Sequence, residues 1–405
     1  MRQEPRSGPK IDKKLEVMKQ FSVLIGGDIC PRDRNLQSFR DGNADAIFGD
    51  LLPEIRAADL SVVNLECPLI TEKSPTGKVG PVLGESPDCV NGLAKAEIDV
   101  ACLANNHILD HGESGLRQTV AALDAAGIAW TGAGEDLASA NSLLIKEVRG
   151  VRIAFLAATH REFCLAGRDS WGANPIDPIS FARLVREESD KYDYLVVVLH
   201  AGAEHHPYPS PELLKTCRFM VEFGAHAVIC QHSHCPGCFE YYQGAPIVYG
   251  QGNLIFDGQG LEKHWYEGFL VKLSPDISTG ELQLDIIPYM QSYGQSGARR
   301  MTATEEEAFR GDIEERCAIL DDETKLEQKW IDHCRSQESM YLSSLRWHDI
   351  RIVRSLVYRL GLQRRLLSKR AITILLNLFR CETHREAVCT LLSLLHEESA
   401  DERSR

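Results

Sequence analysis

Tyr194-Leu195-Val196-Val197-Val198-Leu199-His200-Ala201-Gly202-Ala203-Glu204 reads as a strand followed by chemistry. Six residues of Tyr, Leu and Val without polar alternation describe a strand covered on both faces, the pattern of a sheet lying between other layers. His200 and Glu204 follow at its C-terminal end, which is where open α/β sheets place their ligands.

The same grammar repeats along the chain. Short apolar runs at Phe21–Gly26, Leu60–Leu65, Val100–Leu103, Val151–Ala157, Ala227–Cys230 and Ile247–Tyr249 are expected strands. Helical spacing fills the intervals Ser114–Ala126, Ile179–Lys191 and Pro211–Phe223; in the first, Leu116, Val120 and Leu123 recur three and four residues apart. Glu267–Leu273 and Glu281–Pro288 are expected to pair antiparallel around Ser278, Thr279 and Gly280. The core is therefore α/β, with helices layered on sheets.

Three regions follow: a polar tail over 1–20, an α/β domain over 21–298, and a helical extension over 299–405, where Gly and Pro nearly vanish. The extension divides by charge, with 12 acidic against 6 basic residues between Arg300 and Met340, then 9 basic residues against Asp349 alone between Arg346 and Arg380. A helical bundle whose halves attract each other is the favoured reading. Contact of the basic stretch Ile350–Phe379 with an anionic membrane surface is the alternative and is not favoured.

At 405 residues with 43% hydrophobic content the chain can bury a large core. Its net charge of -13 argues against a nucleic-acid partner. No apolar run approaches the roughly 18 residues of a membrane span, and the N-terminus is polar, so the sequence reads as cytoplasmic. In that setting the 13 scattered cysteines are expected to be reduced thiols.

Five strand ends carry polar residues of metal-ligand type. Asp28 follows Gly26-Gly27, Glu66 follows Asn64-Leu65, and Asn105-Asn106-His107 is followed by Asp110 and Gly112. His200 and Glu204 form the fourth group. His232-Ser233-His234 is the fifth, where alternate histidines in extended backbone would project to one side. Mixed oxygen and nitrogen donors suit Mn, Fe, Zn or Ca rather than a sulfur-rich structural zinc site. Cys235-Pro236-Gly237-Cys238 is a rival zinc or redox motif, but no second Cys-x-x-Cys completes it.

In this order, and together with Gly132-Ala133-Gly134 and Tyr249-Gly250-Gln251-Gly252-Asn253, these segments resemble the CapA family of poly-γ-glutamate capsule synthesis proteins. The resemblance spans about Phe21 to Tyr289. It implies a four-layered α/β/β/α metallophosphatase-like sandwich, similar to the calcineurin-like phosphoesterases, with one or two divalent metal ions. Asp28, Glu66, Asn106, His200, His232 and His234 would be metal ligands, with Glu66 in the bridging place. His107 would be the mobile acid and Glu204 a second acid or base, while Asn64, Asn105, His205 and Asn253 are expected to contact substrate. Asp28-Ile29-Cys30 departs from the phosphoesterase Asp-x-His pattern, which leaves one site weak unless the Cys30 thiolate serves.

The expected substrate is a peptide or a γ-glutamyl polymer. Hydrolysis or transfer at a γ-glutamyl amide is the leading expectation. The alternatives are acid–base epimerisation of a small peptide, phosphoester hydrolysis, and a non-catalytic scaffold for a polymer synthase. No phosphate-binding loop of the Walker type is present, and the chain displays no basic clamp for phosphate.

Overall fold

The computed structural model describes residues 20–258, 260–345 and 368–404. The polar tail expected over 1–20 lies outside them except for Gln20, as does 346–367, which makes up most of the basic stretch Ile350–Phe379.

Sixteen strands are present among the described residues. They are β1 (Val23–Cys30), β2 (Leu60–Leu65), β3 (Val100–Cys102), β4 (Ala129–Thr131), β5 (Ala133–Gly134), β6 (Leu144–Val148), β7 (Val151–Thr159) and β8 (Gly172–Ala173). After them come β9 (Tyr194–His200), β10 (Ala227–Gln231), β11 (Phe239–Tyr242), β12 (Ala245–Val248), β13 (Asn253–Phe256), β14 (Glu267–Pro275), β15 (Leu282–Gln291) and β16 (Ala298–Arg300).

One sheet runs β16-β15-β14-β1-β2-β3-β4, with β13 also paired to β1; a second runs β11-β12-β10-β9-β7-β6, and β5 pairs with β8 in a small third. In the first, β1, β2, β3, β4 and β13 are parallel, and the antiparallel β14–β15 hairpin joins β1. In the second, β7, β9, β10 and β12 are parallel.

Strand parity explains the layering. On β9, Val196 and Val198 enter the core shared with the first sheet, while Leu195, Val197 and Leu199 pack on the opposite side. There they meet Phe181 of the helix Pro178–Glu188 and Leu213, Cys217 and Met220 of the helix Pro211–Glu222. The helix Gly112–Ala126 buries Leu116, Val120 and Leu123 in the core around the first sheet. The result is an α/β/β/α sandwich. Because side chains alternate, His200 shares the face of Val196 and Val198, between the sheets.

Most expected strands gain a residue or two, because the ladder continues through polar positions; β1 runs through Asp28 to Cys30 rather than stopping at Gly26. The helices start at Pro178 and Pro211 because Asp177 accepts from the amides of Ile179 and Ser180, and Ser210 accepts from that of Leu213. Strand β13 was not anticipated: Asn253–Phe256 is only four residues long and starts on a polar side chain.

Described helices of the extension pack into the cores of the α/β domain. Phe309 and Ile313 of the helix Ala303–Leu320 enter the main core, and Leu326 of the helix Glu323–Ser336 enters the core beneath the second sheet. A third core joins Trp330, Cys334, Tyr341, Leu378 and Leu391 to Ala203, which follows β9. Among the described residues, no helix is long and apolar enough to cross a membrane.

Candidate metal centre

Strand β1 sits between β2 and β13, and its Asp28 lies in register with both Asn64 and Asn253. That proximity depends on Gly27, where an added Cβ would fall 2.0 Å from the Gly252 carbonyl oxygen. The glycine thus admits the close approach of another backbone.

Asn64 donates to Asp28 Oδ1 at 2.7 Å, and Asn105 donates to Asn64 Oδ1 at 3.1 Å and to the Leu65 carbonyl at 2.9 Å. Asp28 Oδ2 accepts the His232 backbone N–H at 3.1 Å. Asn253 Oδ1, an acceptor only, lies 2.8 Å from His234 Nδ1, so that nitrogen carries the proton and Nε2 is left free to ligate.

Three groups converge on one nitrogen. His200 Nε2 lies 3.1 Å from Asn106 Oδ1, 3.0 Å from His232 Nδ1 and 3.3 Å from Glu66 Oε1. His234 Nε2 lies 3.8 Å from the same Glu66 oxygen. Two ligand sets result, Asp28–Glu66–His200 and Glu66–His232–His234, each with its ligand atoms within 4.8 Å of one another. Glu66 belongs to both.

Glu66 is fully buried, and neither of its carboxylate oxygens has a hydrogen-bond partner. Burial, reinforced by Asp28, pushes its carboxyl well above the usual range. Burial likewise pulls His200 down and holds His232 well down, the latter with help from the neighbouring imidazoles. At His234 burial also pulls down, but Glu66, Asp28 and Glu204 together outweigh it and the ring is raised. A buried carboxylate with no hydrogen-bond donor, set among imidazoles of which His200 and His232 are held neutral by burial, fits a divalent cation, whose charge relieves that penalty.

His232 and His234 do not reach this centre from extended backbone. Both have positive φ, 87° and 53°, and His205 nearby has 60°. Left-handed non-glycine residues concentrated here mark strain held by the surrounding structure. Cys30 belongs to neither ligand set; it lies in the core. Cys235 and Cys238 are buried free thiols, also outside both sets.

A cavity of about 490 Å³ opens beside the centre, lined by Asn106, His107, Glu204, His205 and His232. His107 Nδ1 lies 2.7 Å from Asp110 Oδ2, and Asp110 also accepts from Lys78 Nζ at 2.5 Å and from the Leu83 amide at 2.7 Å. Burial, opposed by Asp110, lowers the His107 pKa. Asn64, Asn105 and Asn253 are fully buried behind the ligands and do not line the cavity. Their amides are spent on hydrogen bonds to Asp28, the Leu65 carbonyl and His234 instead.

Sequence reasoning did not find Lys78, Glu162, Tyr341, Asn377 or His384, all of which line the cavity. Lys78 sits in a stretch rich in Gly, Pro and Ser, and the last three belong to the extension, so no strand-end signal marked them. Glu162 lies three residues beyond β7, and burial raises its carboxyl to about 7, with Lys78 opposing and Glu204 adding to the rise.

A family model described as bacterial capsule synthesis protein PGA_cap matches residues 22–258. The capsule biosynthesis protein CapA of Bacillus anthracis is 28% identical over 248 residues, 59% of this chain and 60% of that protein. The PGA biosynthesis protein CapA of Bacillus subtilis (strain 168) is 30% identical over 219 residues, 53% of this chain and 57% of that protein. The chain thus spans less than two thirds of the length of these relatives. Among solved structures, the 5'-nucleotidase from Candida albicans SC5314 aligns over 66% of this chain and 51% of its own at 11% identity, with a TM-score of 0.38.

Proposed function

Since the chain belongs to the bacterial capsule synthesis protein family, whose model spans most of the α/β domain, we propose that it is a metal-dependent enzyme of glutamyl-polymer metabolism that hydrolyses or transfers at a γ-glutamyl amide bond. The observation that carries this is the pair of buried, unpartnered Glu66 oxygens shared by two ligand sets at the edge of a cavity.

Divalent cations held by Asp28, Glu66, Asn106, His200, His232 and His234 would polarise a carbonyl and acidify water toward a pKa of about 7. The chain itself handles the proton. Because Asp110 is an acceptor, His107 carries its proton on Nδ1 and leaves Nε2 unprotonated. Burial keeps that ring neutral, so it can take a proton from attacking water and pass it to the departing amine. Lys78 and the Leu83 amide hold Asp110, and thereby the ring, in place.

Lys78 is committed to Asp110 and to the Asn106 carbonyl, 3.1 Å away, which leaves no free Lys or Arg among the described residues on the cavity to clamp a phosphate. This favours amide over phosphoester chemistry. Epimerisation is the second reading, supported by the Tyr341–His384 pair on the extension's side of the cavity, joined at 2.9 Å. Incubating the metal-loaded protein with γ-glutamyl oligomers and small peptides in deuterated water separates the two. Cleavage products that disappear in His107→Asn are expected; α-carbon exchange without cleavage would transfer the assignment to epimerisation, and neither product would leave the scaffold.

A further inference from the structure

The helix Lys369–Arg380 of the extension has two unlike sides. On one, Leu378 enters the core formed with Trp330, Tyr341 and Ala203, and Ile374 packs against it. On the other, Ile372, Leu376 and Phe379 are 43%, 39% and 60% exposed. Spaced four and three residues apart, they share one face of the helix. Lys369, three residues before Ile372, and Arg380, four after Leu376, continue the same stripe and are exposed, so each end of the apolar row carries a cation.

The expectation from sequence is that these cations meet the acidic stretch Arg300–Met340. Among the described residues they do not: neither of them, nor Arg370, is ion-paired, and that stretch pairs its own acids with Arg299, Arg310 and Lys325. The chain carries a net charge of -13, yet Arg346–Arg380 holds 9 basic residues against Asp349 alone, so positive charge is gathered here.

Phe, Leu and Ile held in water next to unpaired cations call for a partner that is both apolar and anionic. A bilayer with anionic headgroups is such a partner, because Lys and Arg side chains reach the headgroups while an apolar row sinks below them. A second copy fits poorly. Paired face to face about a twofold axis, it would set Lys369 against Arg380.

We propose that the helix Lys369–Arg380 docks the protein on an anionic membrane surface, with Ile372, Leu376 and Phe379 in the interface and Lys369 and Arg380 at the headgroups. The helix lies on the membrane and does not cross it. Cys381, Thr383 and His384 follow it directly and line the cavity beside the metal centre, so docking would bring that cavity to the membrane surface. The helix is outside the matched family region, residues 22–258, and the inference does not depend on which bond the centre cleaves.

The test is cosedimentation of the full-length protein with vesicles of equal parts phosphatidylcholine and phosphatidylglycerol, beside vesicles of phosphatidylcholine alone. Binding to the anionic vesicles should be at least about tenfold tighter and should weaken as salt is raised. Lys369→Gln/Arg380→Gln should lower that affinity by about fivefold per charge, and Ile372→Gln/Phe379→Gln by about tenfold or more. Glutamine suits a helix and all four side chains are exposed, so both variants should melt as the native protein does. No binding to anionic vesicles, equal binding to neutral ones, or binding that survives both double variants overturns the proposal. A clearly lower melting temperature in Ile372→Gln/Phe379→Gln also overturns it, because another segment of this chain then covers the face. So does a concentration-dependent dimer that the same variant dissolves, because a second copy then sits there.

Discussion

Asn64 touches no cavity, yet its single amide ties Asp28 to Asn105 and faces His200 Nδ1 at 3.2 Å. Groups that orient ligands from behind commonly contribute 10–100-fold in metal affinity, so Asn64→Ala should weaken binding by about that factor without abolishing it, as measured by competition with a fluorescent chelator. Glu162 gives a pH signature. Its folded carboxyl titrates near 7, above its ordinary value, so the folded state holds this proton more tightly than the unfolded one. The resulting contribution is fully present below the ordinary carboxyl pKa and is lost as pH rises toward about 7. Thermal melts of metal-free protein across that window should show the decline, and Glu162→Gln should flatten it.

At the scale of elements, the decisive contact is β1 against β13. Gly27→Ala would force a methyl group onto the Gly252 carbonyl, and we expect about 2–4 kcal/mol of destabilisation by urea denaturation, together with loss of metal as Asp28 shifts. Leu116→Ala, remote from the centre, should cost about 2–5 kcal/mol and leave metal content intact. These elements differed in how well the sequence announced them. β9 was legible because six consecutive apolar residues serve two packed faces, and the helix Gly112–Ala126 because its apolar spacing is helical. β13 was hidden because it is short and begins with Asn253, whose role appears only once β1 lies beside it. The histidine pair was recognised by residue type, but its left-handed backbone was not, since nothing in His-Ser-His specifies positive φ.

For the whole molecule, the ligands came from the α/β domain and were visible at strand ends, whereas the cavity is a joint product of that domain and the extension. Only folding reveals that Thr383 and Glu382 dock onto the loops after β7 and β9. Glu382 accepts the Arg161 amide at 2.8 Å and pairs with its guanidinium at 3.2 Å. Trp330→Ala should cost about 3–5 kcal/mol, and hydrogen exchange should then rise at Gly202–His205 as well as within the extension, because Ala203 shares that core. Elemental analysis of the protein as purified, beside Glu66→Gln, bears most directly on all of this. Near-stoichiometric divalent metal in the native protein and little in the variant is the expected outcome. A native protein that takes up no divalent metal even when it is supplied, or a variant that keeps the full complement, would refute a cation site built around Glu66.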